Sequence, residues 1–134
     1  MKKILFAASE AVPFMKTGGL ADVTGSLPKY FDKKNYDVRV ILPKYVCMEE
    51  RWKGQLHFLC HFYVNLSWRK QYVGIFETTY DGITYYLVDN EFYFAGNAPY
   101  NNIYEDVEKF AFFSKAVLEA LPYLDFCPDI IHCH

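Results

Sequence analysis

The run Lys3-Ile4-Leu5-Phe6-Ala7-Ala8 limits the fold of this chain more than any other feature. It is apolar without alternation and ends in small side chains, which reads as a strand buried on both faces and hence as part of a parallel sheet. A turn-rich segment from Ser9 to Gly19 follows, containing Pro13 and the pair Gly18-Gly19. Leu20, Val23, Thr24 and Leu27 then recur at helical spacing, so a helix opens at the glycines, and Pro28 kinks or ends it. Asp37 to Leu42 is a second strand, closed by Pro43. Strand, helix, strand in that order predicts a right-handed βαβ unit.

The middle of the chain follows another rule. Leu56–Leu66, Gln71–Thr79 and Ile83–Val88 are rich in β-formers, and Asp81-Gly82 between the last two is a hairpin signal. An antiparallel section is therefore inserted in, or added to, the parallel sheet. Phe92 to Tyr104 reads as a loop. A helix runs from Glu105 to about Leu121, with Val107, Phe110, Ala111, Ser114, Val117, Leu118 and Leu121 on one face. Asn102 and Glu105 have the spacing of a capping box. After Pro122 and Pro128, Asp129-Ile130-Ile131-His132 is a last parallel strand. The expected class is α/β, a mostly parallel sheet with an antiparallel hairpin section.

Length and composition narrow the class of partner. At 134 residues, with 52% hydrophobic and 22% charged side chains, the chain fits one globular domain. A net charge of −2 and the absence of a basic stripe argue against nucleic acid and against an anionic membrane. The apolar run after Lys2-Lys3 is too short for a signal peptide or a membrane span, which points to the cytoplasm. Cys47, Cys60, Cys127 and Cys133 show no CxxC spacing and are expected as reduced thiols. His57, Cys60 and His61, and likewise Cys127, His132, Cys133 and His134, lack the paired spacing of a structural zinc site. Aromatic residues reach 19%, including 12 Tyr; such rings suit sugar faces, and equally a tyrosine-rich core and rim.

The chemistry concentrates in Lys16-Thr17-Gly18-Gly19-Leu20. It lies between the first strand and the first helix, at the carboxyl edge where open α/β sheets bind ligands. Two glycines permit close backbone approach, a helix N-terminus attracts an anion such as a diphosphate, and Lys16 adds a mobile positive charge. The spacing is neither GxGxxG nor GxxxxGK[ST]. On these residues alone, an anion site and a plain Gly-Gly turn beside a solvated lysine both stand.

Ser9-Glu10, Pro13, the run Lys16 to Val23, Gly25, Leu27 and Pro28 resemble the N-terminal signature of bacterial glycogen synthases and plant starch synthases. Val38 to Pro43 resembles that family's second strand, and Pro99-Tyr100 with Asn101-Asn102 its sugar-proximal loop. Asp129 to His134 is similar to the start of its Asp-(Val/Ile)-(Val/Ile)-His-x-His-Asp-Trp segment. The resemblance runs in order over the whole chain.

The resemblance implies the Rossmann-like N-terminal domain of a GT-B glycosyltransferase. It implies transfer of glucose from ADP-glucose to an α-1,4-glucan with retention of configuration, using no metal or other cofactor. It makes Lys16 the donor-binding lysine, Gly18 and Gly19 the glycines of phosphate approach, and Tyr100 a loop tyrosine near the sugar. Asp22 and His134 become the candidates nearest the chemistry, and His132 a further substrate-side residue. Simpler readings stand beside these: Asp22 stabilised by the helix macrodipole, Tyr100 as a rim aromatic, His132 in packing. Glu10 is a weaker candidate, a carboxylate that could equally be solvated. The resemblance also implies that residues 1–134 are an incomplete glucan-side domain. By the same resemblance the nucleotide-binding C-terminal domain is expected to be absent from these residues, and the fragment to be inactive alone. A non-catalytic glucan-binding module using its tyrosines as platforms is the alternative reading.

Overall fold

The computed structural model describes residues 1–134. Its strands are β1 (Lys2–Ala7), β2 (Tyr36–Pro43), β3 (His57–Leu66), β4 (Arg69–Tyr80), β5 (Ile83–Asp89) and β6 (Ile130–Cys133). The helices are α1 (Gly19–Ser26), α2 (Glu50–Lys53) and α3 (Ile103–Ala120). The six strands form one sheet in the order β3-β4-β5-β2-β1-β6. β6, β1, β2 and β5 pair in parallel, whereas β3-β4 and β4-β5 are antiparallel. The expected α/β class, a parallel sheet extended by a hairpin section, is the observed one.

Strand periodicity explains the two cores. Side chains alternate between faces, so Leu5, Ile41, Tyr86 and Val88 join a cluster of 18 buried residues under α3. Their neighbours Ile4, Phe6, Val40, Leu42, Tyr85 and Leu87 join a cluster of 11 on the opposite face. At the β4-β5 turn, Asp81 and Gly82 both take positive φ, 51° and 80°, the conformation such a dipeptide hairpin requires. None of the helices is long and apolar enough to cross a membrane.

Two helix faces differ from expectation. In α1 the buried residues are Ala21, Thr24 and Gly25, whereas Val23 points to solvent. The cause is close approach. A Cβ on Gly25 would lie 2.3 Å from Val12 Cγ2 and 2.8 Å from the Val12 carbonyl oxygen, so only small residues fit this contact. As expected, α1 ends ahead of Pro28, passing into a 3₁₀ turn, Leu27–Tyr30.

In α3 the buried face is Lys109, Phe112, Phe113, Ala116, Val117 and Ala120. Val107 and Leu118, expected inside, are 65% and 59% exposed. Phe110-Ala111-Phe112-Phe113 is apolar on every side and leaves the helical phase undetermined. Packing decides it: Phe112 stacks on Tyr93 at 4.6 Å between centroids and sits against Phe94 at 5.9 Å. The helix begins at Ile103, two residues early, where Asn102 Oδ1 accepts the Glu105 amide at 3.0 Å.

Candidate functional site

The candidate residues gather around the carboxyl end of β1. The strand stops at Ala7, and the chain turns through Ser9 and Glu10 before reaching the glycines. Glu10 is 1% exposed. Its carboxylate accepts hydrogen bonds from Thr17 Oγ1 at 2.5 Å and from the Gly18 and Ala21 amides, each at 3.2 Å. Of the two expectations for Glu10, solvation is therefore excluded: it is an internal cap, tying the Lys16–Gly19 turn and the first turn of α1 to the strand end. A buried carboxylate must be fully hydrogen-bonded to be tolerated, and a helix N-terminus supplies the donors.

Glu10 does not exhaust the donors of that helix end. The Gly19 and Leu20 amides make no hydrogen bond within the chain. Above them the surface is open, since a Cβ built on Gly18 or on Gly19 would meet nothing within 4 Å. Gly18 has φ −166°, an extended value open to any residue. Neither packing nor backbone geometry explains two glycines here, in contrast to Gly25 against Val12.

Lys16 and Asp22 face each other across this turn. Lys16 Nζ lies 2.9 Å from the Asp22 carboxylate, and each side chain is 53% exposed. An exposed pair of this kind contributes only about 0–1 kcal/mol. Lys16 can thus exchange Asp22 for a phosphate oxygen at small cost.

Tyr100 reaches the same strand end from the loop before α3. Its phenol oxygen and Ser9 Oγ share a hydrogen bond of 2.5 Å. Burial, joined by the charge of Glu10, raises its pKa and keeps the phenol protonated. The Tyr45 hydroxyl donates to the Ser9 carbonyl at 2.6 Å, so Ser9 is held from two sides. Sequence reasoning missed Tyr45 and the second role of Ser9. Only the position of Tyr45 just past a strand end could have signalled it.

His132 and His134 sit at the end of β6, two residues apart and therefore on one face. Their rings lie 4.3 Å apart and 5.0 and 4.8 Å from that of Phe6. The His134 amide continues the ladder by donating to the Ala7 carbonyl at 2.9 Å. His134 Nε2 is buried without a hydrogen-bond partner. Burial, and secondarily His132, pushes its pKa below the ordinary imidazole value.

A cavity of about 360 Å³ opens at this strand end, lined in part by Ser9, Tyr100, Phe113, Cys133 and His134. A larger one, about 510 Å³, lies beyond Lys109 beside Arg69 and Tyr104 and contains none of the candidate residues. The structure thus brings Tyr100 and His134 to one cavity and Lys16, Asp22, Gly18 and Gly19 to one turn. The consecutive residues Ser9 and Glu10 join the two groups. His132 borders neither. No three His, Cys, Asp or Glu side chains converge as metal ligands.

Comparison with known proteins shows the family. The starch synthase catalytic domain family model matches residues 3–134. The chain is 68% identical over its full length to a glycogen synthase of Lachnoclostridium phytofermentans and 63% identical to one of Lachnospira eligens. It spans 28% of the length of each. Among solved structures, it is similar to the catalytic domain of starch synthase IV from Arabidopsis thaliana bound to ADP and acarbose. That likeness has a TM-score of 0.78 at 28% identity, covering 99% of this chain and 28% of the other.

Proposed function

Because this chain belongs to the starch synthase catalytic domain family, we propose that it is the glucan-side part of a retaining glycosyltransferase acting in the cytoplasm. The enzyme moves glucose from ADP-glucose to the non-reducing end of an α-1,4-glucan. The observation that carries the proposal is the open surface over Gly18 and Gly19, where nothing in the chain itself requires glycine. A ligand that must touch backbone does. Two unoccupied amides and a weakly held lysine at that spot suit a diphosphate.

The roles follow from charge. When the bond between the anomeric carbon and the donor phosphate breaks, negative charge grows on the leaving diphosphate while the sugar takes on oxocarbenium character. Cations and N–H groups already in place lower that barrier, because they need no reorganisation as the charge develops. Lys16 supplies the cation and Gly18-Gly19 the close approach. Asp22 aims Lys16 over the turn. Tyr100 presents a protonated phenol to the acceptor glucan, and His134, next to the same cavity, a neutral imidazole edge. His132 supports the His134 ring. The remaining contacts to the diphosphate and the nucleotide come from a second domain, on the part of the protein outside these 134 residues.

The test is glucosyl transfer from ADP-glucose to glycogen. A chain extended to the length of its relatives should incorporate labelled glucose, and residues 1–134 alone should not. Robust incorporation by the short chain would show that the site is complete without a second domain.

A further inference from the structure

Among the lysines and arginines of this chain, Lys109 alone is buried, at 3% exposure in the middle of α3. Its companions on that face are Phe112, Phe113, Ala116 and Val117, and packing would be served as well by methionine or leucine. Burying an ammonium group is costly unless its protons are used. Here they are: Lys109 Nζ donates to the Pro99 carbonyl and to Asn101 Oδ1, both at 2.7 Å, and lies 3.4 Å from Asp106 Oδ1. Asp106 in turn accepts the Asn101 amide with both oxygens, each at 3.1 Å. The two residues fastened in this way, Pro99 and Asn101, flank Tyr100. One helical position beyond Lys109, Phe110 meets the Tyr100 ring at 5.9 Å between centroids.

We propose that Lys109 is a positioning residue for the glucan acceptor. It clamps Pro99–Asn101 to α3, so that Tyr100 is held over the cavity at the end of β1 before any sugar arrives. The inference rests on the reading of Tyr100 as a sugar-facing residue. A loop left free must be ordered at each binding event, and that cost falls on acceptor affinity rather than on donor affinity. The charge is needed because a backbone carbonyl, a side-chain amide oxygen and a carboxylate converge on a single point, and an ammonium group satisfies all three.

The experiment uses the full-length enzyme with Lys109→Met, Lys109→Arg, Tyr100→Ala and the double variant Tyr100→Ala/Lys109→Met. Glucan KM, ADP-glucose KM and melting temperature are measured for each. Lys109→Met should raise glucan KM about tenfold, the effect of losing a charge-assisted hydrogen bond, with donor KM changed less than about twofold. Lys109→Arg should recover most of the loss, because the longer side chain can extend into the adjoining cavity. In the Tyr100→Ala background, Lys109→Met should add less than about twofold. Should Lys109→Met fail to fold, Asp106→Asn loosens the same clamp from a less buried position, and a glucan KM raised about threefold is expected. Lower melting with parental glucan KM in the clamp variants would reduce Lys109 to a structural residue and overturn the proposal. If Tyr100→Ala itself left glucan KM unchanged, the reading of Tyr100 would fall first, and the proposal with it.

Discussion

Glu10 Oε1 accepts the Ala21 amide at 3.2 Å across the turn that carries Lys16 and the two glycines. The chain thus fills part of its own helix N-terminus with a fixed carboxylate, while the adjoining Gly19 and Leu20 amides have no partner within the chain. Glu10→Gln keeps the size but loses the charge and turns one acceptor into a donor facing N–H groups. It should destabilise the protein by about 1–3 kcal/mol. Chemical denaturation of the variant measures this, and an unchanged midpoint would mean that the turn is held elsewhere.

Gly19→Ala separates folding from ligand approach. Gly19 is the first residue of α1, and a Cβ there meets nothing. Alanine in a helix is favoured over glycine by about 0.5–1 kcal/mol, so melting should be unchanged or slightly higher. In the full-length enzyme the new methyl group should obstruct the donor, raising ADP-glucose KM. Parental KM in this variant would show that nothing approaches the backbone at Gly19.

The buried face of α3 gives a stability test. Phe112 is fully buried, and Phe112→Ala should cost about 3–5 kcal/mol. Phe110 is only partly buried against the same core, so Phe110→Ala should cost clearly less. Equal losses in urea denaturation would contradict the phase of the helix.

His134 couples stability to pH. Unfolded, it titrates near the ordinary value of about 6.5; folded, burial and His132 hold it lower. Between the two values the unfolded chain binds more protons, so stability rises with pH through that window. The contribution of the neutral ring is complete above about pH 6.5 and is lost as pH falls towards the folded value. Nuclear magnetic resonance of the ring protons should give a midpoint below that of an unstructured histidine. The drop in melting temperature below neutral pH should shrink in His134→Gln. A midpoint at or above 6.5 would contradict the buried Nε2.

The sequence was most informative where one physical rule acts alone. β1 and β2 were legible as uninterrupted apolar runs, and the β4-β5 turn from Asp81-Gly82, because each depends on local chemistry. The faces of α1 and α3 were not. Gly25 is set by Val12, thirteen residues away, and Phe112 by Tyr93 on another element. Lys16 and the glycines stood out by residue type. Ser9 and Glu10 enter only through the family resemblance and Tyr45 not at all, since a carboxylate, a hydroxyl and a phenol show their partners only once the strand end brings them together.

Lys16→Gln in the full-length enzyme decides whether the Lys16–Gly19 turn binds the diphosphate of the donor, as proposed. Lys16 is half exposed and its pair with Asp22 is weak, so the variant should melt like the parent. Its kcat/KM for ADP-glucose at subsaturating donor should fall roughly ten- to a hundredfold, the worth of one charge-assisted contact to phosphate. Lys16→Arg, which keeps the charge on a different shape, should fall between the two. Parental kcat/KM in Lys16→Gln would make Lys16 a solvated loop lysine and remove the turn from the donor site.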